Sequence, residues 1–275
     1  MVVIQIKLGE NDGFLYETSC KTSNDTLVRE LVKVHNARIR LASLNSYTPG
    51  LFQYGFAKHP QNQGIDSYAT EPVRKEEFYE EDPLGQRTGN GVCQSLRDTL
   101  QRMTEDVKVY LRSNLLQPVD TRVLQEKLDN FKGIVMMGFP MGLPEYDIVK
   151  MLLDGNDEDA LAGLQASQEL MDPETAELWW AGKQFFREET VGDRVGKNEK
   201  TKVIARLARK SGGAPQREPA VSEDERKAMM AHYFKKQEEL KKLAEEDEDD
   251  YLHSSWANPS ALKNQLRGTN NIRPF

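Results

Sequence analysis

Cysteine, histidine and long apolar runs are all scarce in this 275-residue sequence. The two cysteines, Cys20 and Cys93, lie far apart in unrelated contexts, which excludes a disulfide framework and points to a reducing compartment. The four histidines, His35, His59, His232 and His253, offer no metal-ligand spacing with one another or with a cysteine. A serine nucleophile elbow of the G-x-S-x-G type is missing as well. Cations are not in excess: the net charge of −7 excludes an all-over nucleic-acid binder while leaving room for a local basic patch. The most apolar stretch, "GIVMMGFPMGL", falls far short of the ~20 residues of a membrane span and is interrupted by Pro140. The opening "VVIQIKL" lacks the basic region and cleavage site of a signal peptide. These absences predict a cytoplasmic protein with no catalytic residue, cofactor or metal, and no membrane or nucleic-acid partner.

The composition, 38% hydrophobic and 29% charged, suits a soluble chain of one or two domains. Residues 1–45 carry the clearest fold signal. "VVIQIKL" is β-branched, "GENDG" is a turn and "FLYETSC" reads as a second strand. A helix follows, capped by Asn24 or Asp25, with Leu27, Leu31, Val34 and Leu41 on one face. Hairpin followed by helix is how a ubiquitin-like (β-grasp) module begins. The predicted class is therefore α+β, with this module followed by a mainly helical, charged C-terminal half.

Residues 46–90, rich in Gly, Pro, Gln and Asn, read as loop. Residues 91–155 predict two helices, a buried strand and a short helix. The first helix aligns Leu96, Leu100, Met103, Val107 and Tyr110; the second is capped by Asp120 and buries Val123, Leu124, Leu128 and Phe131. "GIVMMGF" is the strand, with Met136, Met137 and Met141 as core filler. Asp147 caps the short helix and Gly155 closes it. Residues 156–244 read as helical. "DPETAELWWAGKQFFREE" places Leu178, Gly182 and Phe185 on one helical face, which buries Trp179 near Phe186 and leaves Trp180 as an interface candidate. A later helix opens on a capping box at Ser222 and Glu225, with Met229, Met230, Tyr233, Phe234, Leu240 and Leu243 as its apolar side. Residues 245–275 hold the acidic run "EEDEDD" and an aromatic tail. The tail either folds back or serves as a docking peptide, with Tyr251 and Trp256 as contacts.

"VGDRVGKNEKTKVIARL" imitates a phosphate-binding loop but fails as one. Gly192 and Gly196 enclose three residues where four are needed, and Asn198 stands where a Ser or Thr hydroxyl would meet Mg²⁺. Asn198 instead predicts the cap of a helix Glu199–Lys210, whose start would offer a weak anion site. Arg194, Lys197, Lys200, Lys202, Arg206, Arg209, Lys210 and Arg217 crowd the stretch from Arg194 onward beside one acid, Glu199. Such a run is either a solvated face or a basic surface for an acidic partner: tubulin, an acidic protein segment, or the chain's own "EEDEDD".

The ordered run "IVMMGFPMGLPEYD", "AELWWAGKQ", "VGKNEKTKVIARL", "GGAPQREP", "QEELKKL" and "YLHSSWA" resembles the Kurly family of cilia- and flagella-associated proteins. The likeness is dense from Gly133 to Leu266 and thinner over the N-terminal hairpin and helix. It implies a non-enzymatic adapter for cilium or flagellum motility, acting in cytoplasmic preassembly of axonemal dynein arms, with roles in basal-body positioning and planar polarity. The implied partners are other dynein assembly factors or axonemal dynein chains, and the implied locations are the cytoplasm and the basal body. The partner-binding candidates are Trp180, Lys197, Lys200, Lys202, Arg206, Tyr251 and Trp256. Two alternatives stand beside this reading: a nucleotide-binding enzyme using the degenerate Gly-Lys loop, and a structural microtubule-associated component of the axoneme.

Overall fold

A computed structural model describes residues 1–8, 12–63, 77–209, 227 and 230–242. The chain divides into two compact units, Met1–Gln216 and Arg217–Phe275. Among the described residues, no helix is long and apolar enough to cross a membrane.

The first unit is α+β and is built on a β-grasp sheet. Strands β1 (Val2–Lys7) and β2 (Gly13–Thr18) form the expected antiparallel hairpin. Helix α1 (Asn24–Tyr54) follows and buries Leu27, Leu31, Val34 and Leu41, the residues whose spacing marked its inner face. Its cap is Ser23, whose hydroxyl accepts from the Thr26 amide, and not Asn24 or Asp25. Asn24 is buried and donates to the Phe186 carbonyl. The helix also outruns its expected end at residue 45, passing through Pro49 to Gly55. A proline there removes one helical hydrogen bond, and packing of Thr48, Leu51 and Phe52 in the core outweighs that loss.

The sheet is completed more than a hundred residues later. Strands β3 (Ala176–Trp180), β4 (Lys183–Gln184) and β5 (Lys202–Arg209) give the order β2-β1-β5-β3-β4. The central β1–β5 pair is parallel and its neighbours are antiparallel. The inward face presents Val2, Ile4, Ile6, Phe14, Leu178, Val203, Ala205 and Leu207, all buried. At ~1.5–3 kcal/mol for each large side chain removed from water, this layer and the facing stripe of α1 dominate the stability of the module.

Two segments expected to be helical are therefore strands. In "AELWW" the buried positions Ala176 and Leu178 alternate with half-exposed Glu177 and Trp179, a period of two. The chain reverses at Ala181-Gly182, both with positive φ (50° and 76°), so a two-residue turn joins β3 to β4. The basic segment behaves in the same way: Val203, Ala205 and Leu207 are buried, while Lys202 and Ile204 are exposed.

Between α1 and β3 lie α2 (Gln94–Ser113), α3 (Thr121–Gly138), α4 (Ile148–Asp154), α5 (Asp157–Ala160) and α6 (Gln165–Glu169). The helices α2, α3 and α4 pack on α1. Asp120 caps α3, Asp147 caps α4 and Gly155 closes α4 in the left-handed conformation, as the sequence indicates. "GIVMMGF" is not a strand but the last turns of α3: Ile134 and Val135 are buried, and Phe139 meets Phe52 edge-on at 5.9 Å. Met136, Met137 and Met141 are 63%, 71% and 98% exposed, so they do not fill the core. Helix α7 (Val191–Val195) precedes β5 and opens with a capping box between Thr190 and Asp193.

In the second unit, residues 230–242 are helical, and Met230, Tyr233, Phe234 and Leu240 are exposed along it. The expected capping box at Ser222 and Glu225, with Met229 and Leu243, lies outside the described residues.

Candidate functional site

The outward face of the sheet carries two of the basic residues that the sequence singled out, Lys202 and Arg206. Pairing register sets its rows, because directly paired residues point to the same side. One row runs Lys7, Arg206, Trp179, Gln184 across four strands. A second runs Leu15, Gln5, Ile204, and a third Glu17, Val3, Lys202. Cationic side chains thus alternate with Val3, Ile204 and Trp179 on a surface where Ile204 is 56% exposed. Guanidinium and ammonium groups beside aromatic and branched apolar side chains suit a partner that brings carboxylates and apolar groups together.

The sheet is held in place from behind. The Asn24 backbone amide donates to the Glu189 carbonyl, and the Val191 and Gly192 amides donate to the carbonyls of Thr22 and Cys20. Arg187 donates to Asp25 at 2.7 Å and to the carbonyls of Pro173, Glu174 and Ala176. Arg29 joins Asp25 to Glu174. The Arg29 and Arg187 hydrogen bonds hold the Asp25 carboxyl below its ordinary value. This network anchors the lead-in to β3 against the first turn of α1, and so fixes where Trp179 stands. The β2 edge is closed as well: the Leu15 amide donates to Asn114 and the Val119 amide to Leu15.

Lys202 and Arg206 lie together on this face, but as alternate residues of a strand and not as turns of a helix. Lys197 and Lys200 are exposed in the connection from α7 to β5, outside the rows. Asn198 caps no helix there. Its side chain accepts from the Lys200 amide, and its carbonyl accepts from Thr201, a tight turn feeding β5. With a strand following the Gly-Lys loop, the expected anion site at a helix start is not formed. Trp180 turns inward and packs against the core, while Trp179 takes the outer face and donates from Nε1 to Glu177 at 3.3 Å. The two tryptophans exchange the roles expected of them because strand neighbours point to opposite sides. Tyr251 and Trp256 lie outside the described residues. Sequence reasoning missed Trp179, Ile204 and Val3 as face residues; the alternation in "AELWW" is the signal that reveals Trp179, and that in "KVIARLAR" reveals Ile204.

The model of the family described as "Cilia- and flagella-associated protein 298" matches residues 176–272, beginning at the first residue of β3. Proteins of that name from Danio rerio and Drosophila melanogaster are similar over 99% of this chain, at 38% and 34% identity, with 99% and 98% of their own lengths covered. The chain belongs to this family. The Homo sapiens protein of the same name is 34% identical over 99% of both chains. Likeness to the cilia- and flagella-associated protein 298 family thus spans both the N-terminal hairpin and the late strands that complete the sheet. No solved structure matches this chain.

Proposed function

We propose that this chain is a non-enzymatic adapter needed for cilium or flagellum motility, acting in the cytoplasm on the preassembly of axonemal dynein arms. The observation that carries the reading is membership of a cilia- and flagella-associated family by a chain whose sheet presents a mixed basic and apolar outer face. In this reading Lys202, Arg206, Ile204 and Trp179 receive an acidic, partly apolar segment of another assembly factor or of an axonemal dynein chain. Roles at the basal body and in planar polarity follow from the same adapter activity.

The test is replacement in a flagellated cell that lacks the native protein. Lys202→Glu with Arg206→Glu, and separately Ile204→Glu, alter exposed or half-exposed positions and leave the buried strand face intact. The expected outcome is a folded protein that fails to restore dynein arms and cytoplasmic dynein heavy-chain levels. Full rescue by both variants refutes the face assignment. Normal arms and motility in the null cell, or retention of the protein in washed axonemes instead of the cytoplasmic pool, refutes the preassembly role.

A further inference from the structure

A separate cleft of about 430 Å³ lies between the middle of α1, the end of α2 and α6, away from the outer sheet face. That volume falls within the range of small-ligand sites, roughly 300–1,000 Å³. Arg38 lines it, and its side chain is only 9% exposed. A guanidinium so far removed from water ordinarily has close, multiple partners. Arg38 has one long contact, 3.4 Å to Asp12 Oδ1, and its Nε is buried with no hydrogen-bond partner. Asp12 is 64% exposed, and the same Oδ1 accepts a better bond, 2.8 Å, from the Gly13 amide. The Phe14 ring, 5.0 Å from the guanidinium carbon, supplies the remaining support. The positive charge is thus built in and weakly neutralised.

The surroundings narrow the ligand. Arg112 adds a second guanidinium at the rim, and Ile39 and Leu111 give apolar wall. Glu169 also lines the cleft, and its carbonyl takes the Nε2 proton of buried His35 at 2.8 Å. That bond leaves His35 Nδ1 as a bare acceptor, and it has no partner. Burial holds this histidine below its ordinary value, so it stays neutral.

We infer that this cleft binds a carboxylate carried on a short apolar chain, with Arg38 as the principal anchor and Asp12 as the group it displaces. A carboxylate can take two guanidinium N–H groups at once, which Asp12 does not. The methylenes of a glutamate-like group would lie against Ile39 and Leu111. The chemistry is shared by a free dicarboxylate and by an acidic peptide side chain.

Isothermal titration of the full-length protein with glutarate, and separately with an acetylated, amidated tri-glutamate peptide, tests this at constant ionic strength. Saturable binding of either supports the site, and which of the two binds identifies the source. Arg38→Met should weaken binding by about tenfold or more, since a charged hydrogen-bonded anchor is lost. Asp12→Asn keeps an acceptor for Gly13 but removes the competing charge, so it should tighten binding several-fold. This second variant decides the matter even where Arg38→Met fails to fold. No saturable heat with either probe, unchanged affinity in a folded Arg38→Met protein, or no tightening in Asp12→Asn overturns the inference.

Discussion

Asp147 is wholly buried, and replacing it by alanine should cost about 3–4 kcal/mol. The figure follows from what one carboxylate does here. Oδ1 accepts from the Val149 amide at 2.9 Å, capping α4; Oδ2 accepts from the Ala57 amide at 2.9 Å and from Arg87 at 3.3 Å. Loss of a helix cap alone costs ~1 kcal/mol. Removing one partner of a buried ion pair costs about 3–5 kcal/mol, because the other charge is stranded. Arg87 is 15% exposed and retains the Gly55 carbonyl at 2.9 Å, which moves the expectation toward the lower end of that range. Asp120 provides the internal control. It is an exposed cap whose side chain accepts from the Arg122 amide at 2.8 Å, and its loss should cost only ~1 kcal/mol. Urea unfolding of the full-length variants, followed by circular dichroism at helix wavelengths, measures both. Arg87→Met in the Asp147→Ala background should recover part of the loss, since the stranded charge is then gone. If Asp147→Ala costs no more than Asp120→Ala, the argument from burial is wrong.

Three further outcomes are expected from the same measurement. Ala181 stands at φ 50°, so Ala181→Gly should stabilise the β3–β4 turn by up to about 1 kcal/mol, and an unchanged or lower midpoint contradicts the turn assignment. Gly55 has φ 77°, and a Cβ there would press on the Asn90 carbonyl oxygen; Gly55→Ala should therefore cost about 2–3 kcal/mol, against the few tenths expected of an unconstrained surface glycine. His35 has its folded-state value lowered by burial, so below its ordinary value of 6.5 the unfolded chain takes up a proton that the folded chain refuses. Stability should fall as pH drops from 6.5 toward the folded-state value, by up to about 1.4 kcal/mol per pH unit, and His35→Gln should flatten that slope. An equal slope in both proteins contradicts the buried neutral histidine.

Local signals were legible where nearby residues decide the structure. The hairpin, the inner stripe of α1 and the caps at Asp120 and Asp147 depend on short-range spacing, and the sequence carries them plainly. The late strands do not work this way. In "TKVIARLARK" the cations Lys202, Arg206 and Arg209 also satisfy helical spacing, and Ala, Leu, Arg and Lys all favour helices. What makes Lys202–Arg209 a strand is the open edge of β1 on one side and β3 on the other, neither of them local. "GIVMMGF" fails in the opposite direction. Its apolar run looks like a buried strand, yet α3 simply continues, burying Ile134 and Val135 and leaving the two methionines exposed.

The same non-local pairing bears on the proposed binding face. Val3 comes from the first strand, Trp179 from the third and Ile204 with Arg206 from the last, so no single segment of sequence contains the surface. Among the described residues, the α-helices α2 to α6 intervene between α1 and β3, and the face forms only once Ala176–Trp180 and Lys202–Arg209 have returned to the hairpin. Arg187 and Arg29 fasten that return through Asp25 at the start of α1. A substitution such as Arg187→Met should therefore impair partner capture without touching the outer face, by loosening the lead-in that positions Trp179. Because Arg187 also satisfies three carbonyls, the loss should appear as lower stability as well as weaker binding. Charge reversal at Lys202 and Arg206 should weaken binding alone. The two kinds of variant separate a surface that meets a partner from the frame that holds the surface in place.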